Sequence, residues 1–330
     1  MLEQSTLDEI AAELAEADRT RSVMPRITAR YPDATVEDSY AIQAAWRDRE
    51  LAAGRKIAGR KIGLTSKAMQ AATGITEPDY GVMFEDTVYE NGSVIDYDRF
   101  LNVRIEVELA FVLKEPLEGP NCTLFDVLRA TEYVTPALEI LNSHIELEGR
   151  TIVDTISDNA AYGGMVLGGN PMKPGDIDLR WVGALLYKNE TIEETGVAAG
   201  VLNHPATGVA WLANKFQQHG DRLEAGEIIL AGSFTRYMWV YEGDTVRVLG
   251  VRVGRITDIT TEDGMSKVTM KVDQDVPVPE DANALLVAQS LVAERFIQLT
   301  PAYTGGEELP DGGTIPVERT AVPVEWDGVK

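Results

Sequence analysis

The chain has 330 residues, 44% of them apolar and 25% charged, with a formal charge of −23. These are the proportions of a globular protein long enough for one large domain or two ordinary ones, and the acid excess argues against nucleic acid or anionic lipid as a partner. A single cysteine, Cys122, excludes an intrachain disulfide framework, and the scattered His144, His204 and His219 argue against a His-rich zinc site.

The N-terminus is acidic and amphipathic, without the basic and apolar stretches of a signal peptide, and no apolar run is long enough to span a bilayer. A cytoplasmic protein without a membrane anchor is expected. Residues 6 to about 53 show helical spacing (Leu7, Ile10, Ala11, Leu14, then Tyr40, Ile42, Ala45, Trp46), broken near Tyr31-Pro32-Asp33. Lys61-Ile62-Gly63-Leu64 reads as an apolar strand running into a polar loop, and Pro78-Asp79-Tyr80-Gly81 as a turn. Arg104 to Leu113 reads as a strand and Leu124 to Glu132 as a helix, followed by an apolar segment ending Pro136-Ala137-Leu138-Glu139-Ile140. Asn203-His204-Pro205 opens a helix through Lys215, with Pro in its first turn. Short strands follow at Ile228 to Ala231 and Val246 to Leu249. From about residue 250, β-branched stretches alternate with Asp/Gly/Pro turns: Val251 to Ile259, Lys267 to Val272, Ala284 to Ala288 and Arg295 to Leu299. That part reads as a small all-β unit.

The chemistry-bearing residues start with Glu106 and Glu108. In a strand, residues two apart share a face, so both carboxylates project together with Arg104 while Ile105, Val107 and Leu109 project oppositely. Paired like charges beside apolar sequence are costly unless a hard cation such as Mg²⁺ binds them; the alternative is a solvated strand face. Glu139, on its apolar segment, is a third ligand candidate or a salt-bridged glutamate. Lys61 is a cation for an anionic substrate or a snorkelling surface lysine. Asp79 is a carboxylate for proton transfer or an ordinary turn residue. Ser233 and Thr235 either contact substrate or simply turn the chain. Arg104 either meets a substrate carboxylate or pairs with the neighbouring glutamates.

The runs Gly59 to Met69, Glu77 to Gly81, Arg104 to Leu113, Gly119 to Val127, Asp154 to Ala160, Ile192 to Pro205 and Gly232 to Arg236 closely resemble the 2-oxo-hepta-3-ene-1,7-dioate hydratases of the fumarylacetoacetate hydrolase superfamily. The resemblance covers about residues 1 to 240. It implies an α+β fold, a mixed β-sheet roll with N-terminal helices, as the catalytic domain of a homo-oligomer. It also implies a divalent metal, Mg²⁺ with Mn²⁺ as a substitute, held by Glu106, Glu108 and Glu139. A small dicarboxylate would chelate the metal, double-bond isomerisation would bring the alkene into conjugation, and water would add to it. Lys61 would orient the carboxylate or shuttle a proton, and Asp79 would act as general acid or base. The related 4-oxalocrotonate decarboxylation is the alternative within this class.

Beyond Gly243-Asp244-Thr245-Val246 the chain resembles a different family. Tyr241 to Ile256, Val276 to Pro279, Ala293 to Gly306 and Ile315 to Glu325 are similar to Mce (mammalian cell entry) domains, small β-barrels that carry lipid across the bacterial envelope. This likeness covers about residues 238 to 327 and marks residues 241–330 as a second, incomplete domain, with lipid binding as the competing function. Residues 243–259 could close the first domain's sheet or open the barrel, and one segment cannot pair fully with both. The expectation is that they complete the larger core.

Overall fold

The computed structural model describes residues 1–67, 70, 75–169, 171–189, 191–218, 220–244, 246–249, 254–262, 265–272, 276–288, 295–300, 303 and 305–321. His219, residues 251–253 and parts of the C-terminal family-like runs lie outside them. The chain divides into two compact units, Met1–Val248 and Leu249–Lys330.

The helical spacing near the N-terminus folds as three helices, α1 (Gln4–Thr20), α2 (Ile27–Arg30) and α3 (Val36–Ala52). A reciprocal cap starts α3 just after the expected break: the Asp38 N–H donates to Thr35 Oγ1 at 3.2 Å, and the Thr35 N–H to Asp38 Oδ2 at 2.9 Å. Leu7, Ile10, Leu14, Ile42 and Trp46 then bury against Val82 and Phe84 of the sheet.

Next come β1 (Ile57–Gly63), β2 (Asp79–Phe84), β3 (Val88–Tyr89), β4 (Arg104–Leu113), α4 (Leu124–Ala130), β5 (Thr131–Leu141), α5 (Ile152–Ser157) and β6 (Tyr162–Leu167). They are followed by β7 (Gly183–Lys188), β8 (Thr191–Val197), α6 (Pro205–Gln217), β9 (Ile228–Leu230), β10 (Met238–Trp239) and β11 (Val246–Leu249). The main sheet is mixed, in the order β2-β1-β9-β4-β5-β6-β3, with β10 also pairing with β4. A smaller sheet has the order β11-β7-β8. Phe111, Ile62 and Ile229 pack on one face of the main sheet against Val209, Leu212 and Phe216 of α6. No described helix is long and apolar enough to cross a membrane.

Two sequence expectations are corrected. Pro78 to Gly81 is not a free turn: Asp79 opens β2 and pairs with Gly63. Gly81 in that strand permits a close approach, since a Cβ there would crowd the Asn159 backbone carbonyl. The helix starting at Leu124 stops at Ala130, and β-branched Thr131 begins β5 by pairing with Leu113. Pro136 lies inside this strand, opposite Leu109, and its carbonyl accepts from the Gly168 N–H at 2.7 Å.

In the second unit, β12 (Gly254–Glu262) and β13 (Met265–Val272) form a two-stranded hairpin. A three-stranded sheet has the order β15-β14-β16, with β14 at Asn283–Ala288, β15 at Arg295–Thr300 and β16 at Thr320–Ala321. Among the described residues these strands form two separate sheets. The contested stretch 243–259 is divided: Val246–Leu249 pairs beside β7, whereas the strand from Gly254 pairs with β13. It therefore does not pass intact to the larger core.

Candidate active site

Strand alternation on β4 sends Ile105, Val107 and Leu109 into apolar packing and Arg104, Glu106 and Glu108 to the opposite face. Glu106 lies directly across from Glu139 on β5, so the register brings the third carboxylate to the first two. The three offer oxygens that all lie within 4.8 Å of one another. Glu108 is 1% exposed, which excludes the solvated-face alternative for it, while Glu106 is half-buried. Glu139 is 0% exposed and has the cation of Lys61 beside it. Below them on the same face, Ala110, Ala137, Met165, Met83 and Leu230 form a dry floor.

The opposing wall comes from β1 and β2. Lys61 and Asp79 are buried, at 3% and 2% exposure, so Lys61 does not snorkel. The ammonium of Lys61 donates to the Ala160 carbonyl at 3.0 Å and sits 3.2 Å from Glu139 Oε1. Gly63 makes this convergence feasible, because a Cβ there would overlap the Asp79 carboxylate and come within 3.2 Å of Lys61 Nζ. The Ala160 carbonyl is presented by an unusual turn in which Asn159, Ala160 and Ala161 all have positive φ. Left-handed backbone costs non-glycine residues roughly 1–2 kcal/mol each. Asn159 offsets that by gripping β2: the Val82 N–H donates to its Oδ1 at 2.7 Å, and its Nδ2 donates to the Val82 carbonyl at 2.8 Å.

Burial first, then repulsion from Glu139, pushes the Glu106 carboxyl up to about 7. The same two causes raise Glu108 well above the carboxylate range, and burial raises Glu139 against the opposing pull of Lys61. Burial likewise raises Asp79, which Lys61 only partly counteracts. For Lys61, burial would lower the ammonium's pKa, but Glu139, Asp79, Glu106 and Glu108 together raise it. Lys61 therefore remains a cation.

Glu108 Oε2 accepts from the Gly232 N–H at 2.8 Å, whereas Glu108 Oε1, both oxygens of Glu139 and Asp79 Oδ1 are buried without a well-aligned hydrogen bond. For Glu139 Oε1, the nearby Lys61 supplies proximity without alignment. Orphaned buried oxygens on Glu108 and Glu139, converging with the carboxylate of Glu106, are a donor set suited to a hard divalent cation.

The remaining expected residues are spread around this centre. Ser233 Oγ donates to the Thr235 carbonyl at 2.9 Å, and Thr235 Oγ1 accepts from the Val107 N–H at 3.3 Å. Both hydroxyls thereby brace the loop that delivers Gly232 to Glu108. Arg104 is not ion-paired with either glutamate: it donates to the Asn102 carbonyl at 3.1 Å and to Ser143 Oγ at 2.8 Å. Ser143, Asn159 and Arg150 were not picked out from sequence. Asn159 and Ser143 are side chains with no periodic or charge signal, and the location of Arg150 depends on long-range folding. His204 caps α6 through Nδ1, which accepts from the Ala206 N–H. A cavity of about 950 Å³ beside α1 and α3 is lined by Asp18, Arg55, His144 and Asp158 but by none of the carboxylate cluster.

Several known proteins are similar to this chain in sequence or fold. The chain is 54% identical over 263 residues to a 2-oxo-hept-4-ene-1,7-dioate hydratase from Escherichia coli, covering 78% of this chain and 98% of that one. It is 36% identical to a 4-oxalocrotonate decarboxylase from Pseudomonas sp. (strain CF600), covering 72% and 90%. The solved 4-oxalocrotonate decarboxylase from Pseudomonas putida G7, complexed with magnesium and adipate, superposes with a TM-score of 0.73 at 33% identity, covering 75% of this chain and 94% of that chain. The family model described as MlaD protein matches residues 229–302, in support of the Mce-like character of the C-terminal part. The chain belongs to the family of these dienoate hydratases and 4-oxalocrotonate decarboxylases, and is an enzyme of the hydro-lyase type.

Proposed function

We propose that the enzyme is a divalent-metal-dependent hydratase acting on a 2-oxo- or 2-hydroxy-dienoate with a carboxylate at each end, in the breakdown of aromatic compounds. The 2-oxo-hept-3-ene-1,7-dioate skeleton, or its 4-ene isomer, fits best. The observation that carries this reading is the convergence of Glu106, Glu108 and Glu139 on one point, opposite Lys61 and Asp79. The three glutamates would hold Mg²⁺, with Mn²⁺ as a substitute, which when bound supplies Lewis-acid polarisation of the substrate's 2-oxo acid end.

The chain's own residues do the rest. Lys61 stays protonated and holds Glu139 in place. Asp79, with a raised carboxyl and an unpartnered Oδ1, carries the proton between substrate positions. The apolar floor limits water to the molecule being added. Ser233 and Thr235 serve substrate through the loop they brace. A homo-oligomer belongs to the same reading.

The test is product analysis after incubating the heptene-dioate with enzyme and Mg²⁺. Hydration adds one water to the product mass, and this is the expected result. Release of CO₂ instead would support decarboxylation, the activity named for the 36% identical relative. Failure to form either product would contradict the proposal. A lipid-binding role for the C-terminal part draws on the MlaD match, which begins at residue 229, inside the sheet that carries the candidate site.

A further inference from the structure

Arg104 follows the same face of β4 as Glu106, one two-residue step along the strand, or ~6.7 Å. It is 5% exposed, and burying a guanidinium is expensive unless an anion meets it. Its partners are neutral: the Asn102 carbonyl and Ser143 Oγ. A second guanidinium, that of half-buried Arg150, donates to the same Ser143 oxygen at 2.7 Å. Two cations thus converge on one hydroxyl, and among the described residues neither has an ion-pair partner. This is unexpected in a chain with 53 acidic side chains against 30 basic ones. Asp158, an acidic side chain of the same region, is already engaged, accepting from the His144 and Ile145 backbone N–H groups and contacting His144 Nδ1.

The rest of the cluster is organised to receive an anion. Ser143 accepts from both arginines, which leaves its own O–H to donate. The rings of Tyr237 and Trp239 stack against Arg104, with centroids 5.5 and 5.4 Å from the guanidinium carbon, and fix its plane. Both rings are partly exposed, so they stand between this cluster and solvent.

We propose that Arg104, Arg150 and Ser143 form the binding site for the far carboxylate of the substrate. The step from Glu106 to Arg104 matches the extended carbon chain between the 2-oxo end and the terminal carboxylate of a seven-carbon diacid. The cluster therefore selects a dioate over a dienoate that ends in an uncharged carbon. This inference rests on the hydratase reading for the identity of the near end.

Two measurements test it, on the full-length enzyme loaded with Mg²⁺. The first is the ratio of kcat/KM for the seven-carbon dienedioate to that for 2-hydroxypenta-2,4-dienoate. In Arg150→Gln this ratio falls at least tenfold, mainly through KM of the dioate, and Arg150→Lys recovers part of it. The second is equilibrium binding of two saturated probes, 2-oxoheptanedioate and 2-oxoheptanoate, which differ only at the far end. Wild type prefers the diacid, and Arg150→Gln loses at least tenfold of that preference. An unchanged ratio, or equal losses for both probes, would overturn the inference. Absence of turnover on either dienoate would instead count against the hydratase reading, while the probe comparison would still decide the far-carboxylate site.

Discussion

Gly63 and His144 show how single residues set the site and its support. Gly63 carries no side chain because the Asp79 carboxylate and the Lys61 ammonium occupy the space a Cβ would need. Gly63→Ala should lower kcat by about 10²-fold, the scale of an ångström-level displacement of catalytic groups. Steady-state kinetics together with a thermal melt would separate this from unfolding. His144 ties the helical layer to the sheet. Its Nδ1 lies 2.9 Å from Asp158 Oδ1 and its Nε2 3.4 Å from Asp18 Oδ1. Burial would lower its pKa, but Asp158 and Asp18 outweigh that and raise it from 6.5 to about 10. A raised folded-state value means that this stabilisation is complete below pH 6.5 and lost as pH rises through about 10. The Tm difference between wild type and His144→Gln should therefore be constant at low pH and shrink between these limits. A gap that widens with pH would contradict the ion-pair assignment.

At the scale of elements, alternation made the central strand readable in advance: Arg-Ile-Glu-Val-Glu-Leu-Ala-Phe carries both the buried and the functional face in one run. Glu139 was legible as a candidate, but the β4–β5 register that places it opposite Glu106 is a long-range pairing that no local pattern encodes. Tyr162–Leu167, Gly183–Lys188 and Thr191–Val197 went unrecognised because glycines and polar residues dilute their alternation. The left-handed turn at Asn159–Ala161 was also invisible, since two of its residues are alanines with no preference for positive φ. Among the described residues, the side-chain hydrogen bonds from this turn to β2 come from Asn159. Asn159→Ala should therefore leave the Val82 N–H and carbonyl unpaired, cost about 1–3 kcal/mol for each group, and displace the Ala160 carbonyl from Lys61. Denaturant unfolding and kcat would both fall; a loss of stability with kcat intact would separate the turn from the lysine.

On the scale of the whole molecule, length and composition left one large domain or two ordinary ones open. A second domain was expected from residue 241 and a change of character near 250, and the chain divides into compact units at Val248/Leu249. Segment competition was also foreseeable, yet its outcome depends on which sheet gains more by pairing, and the structure splits the stretch. Limited proteolysis should cut first between the two units and leave a fragment near Met1–Val248 that retains metal-dependent activity. Loss of activity on that cut would show that the C-terminal unit supports the site. The central claim is that three converging glutamates, two of them buried, are held together to bind a divalent metal for dienoate hydration. The most direct measurement follows loss of heptene-dioate-derived dienoate absorbance with and without Mg²⁺, in wild type and Glu108→Gln. The account predicts Mg²⁺-dependent turnover in wild type that falls by about 10²-fold or more in the variant, because Lewis-acid stabilisation is worth several kcal/mol. Equal rates with and without Mg²⁺, or a fully active Glu108→Gln enzyme, would contradict it.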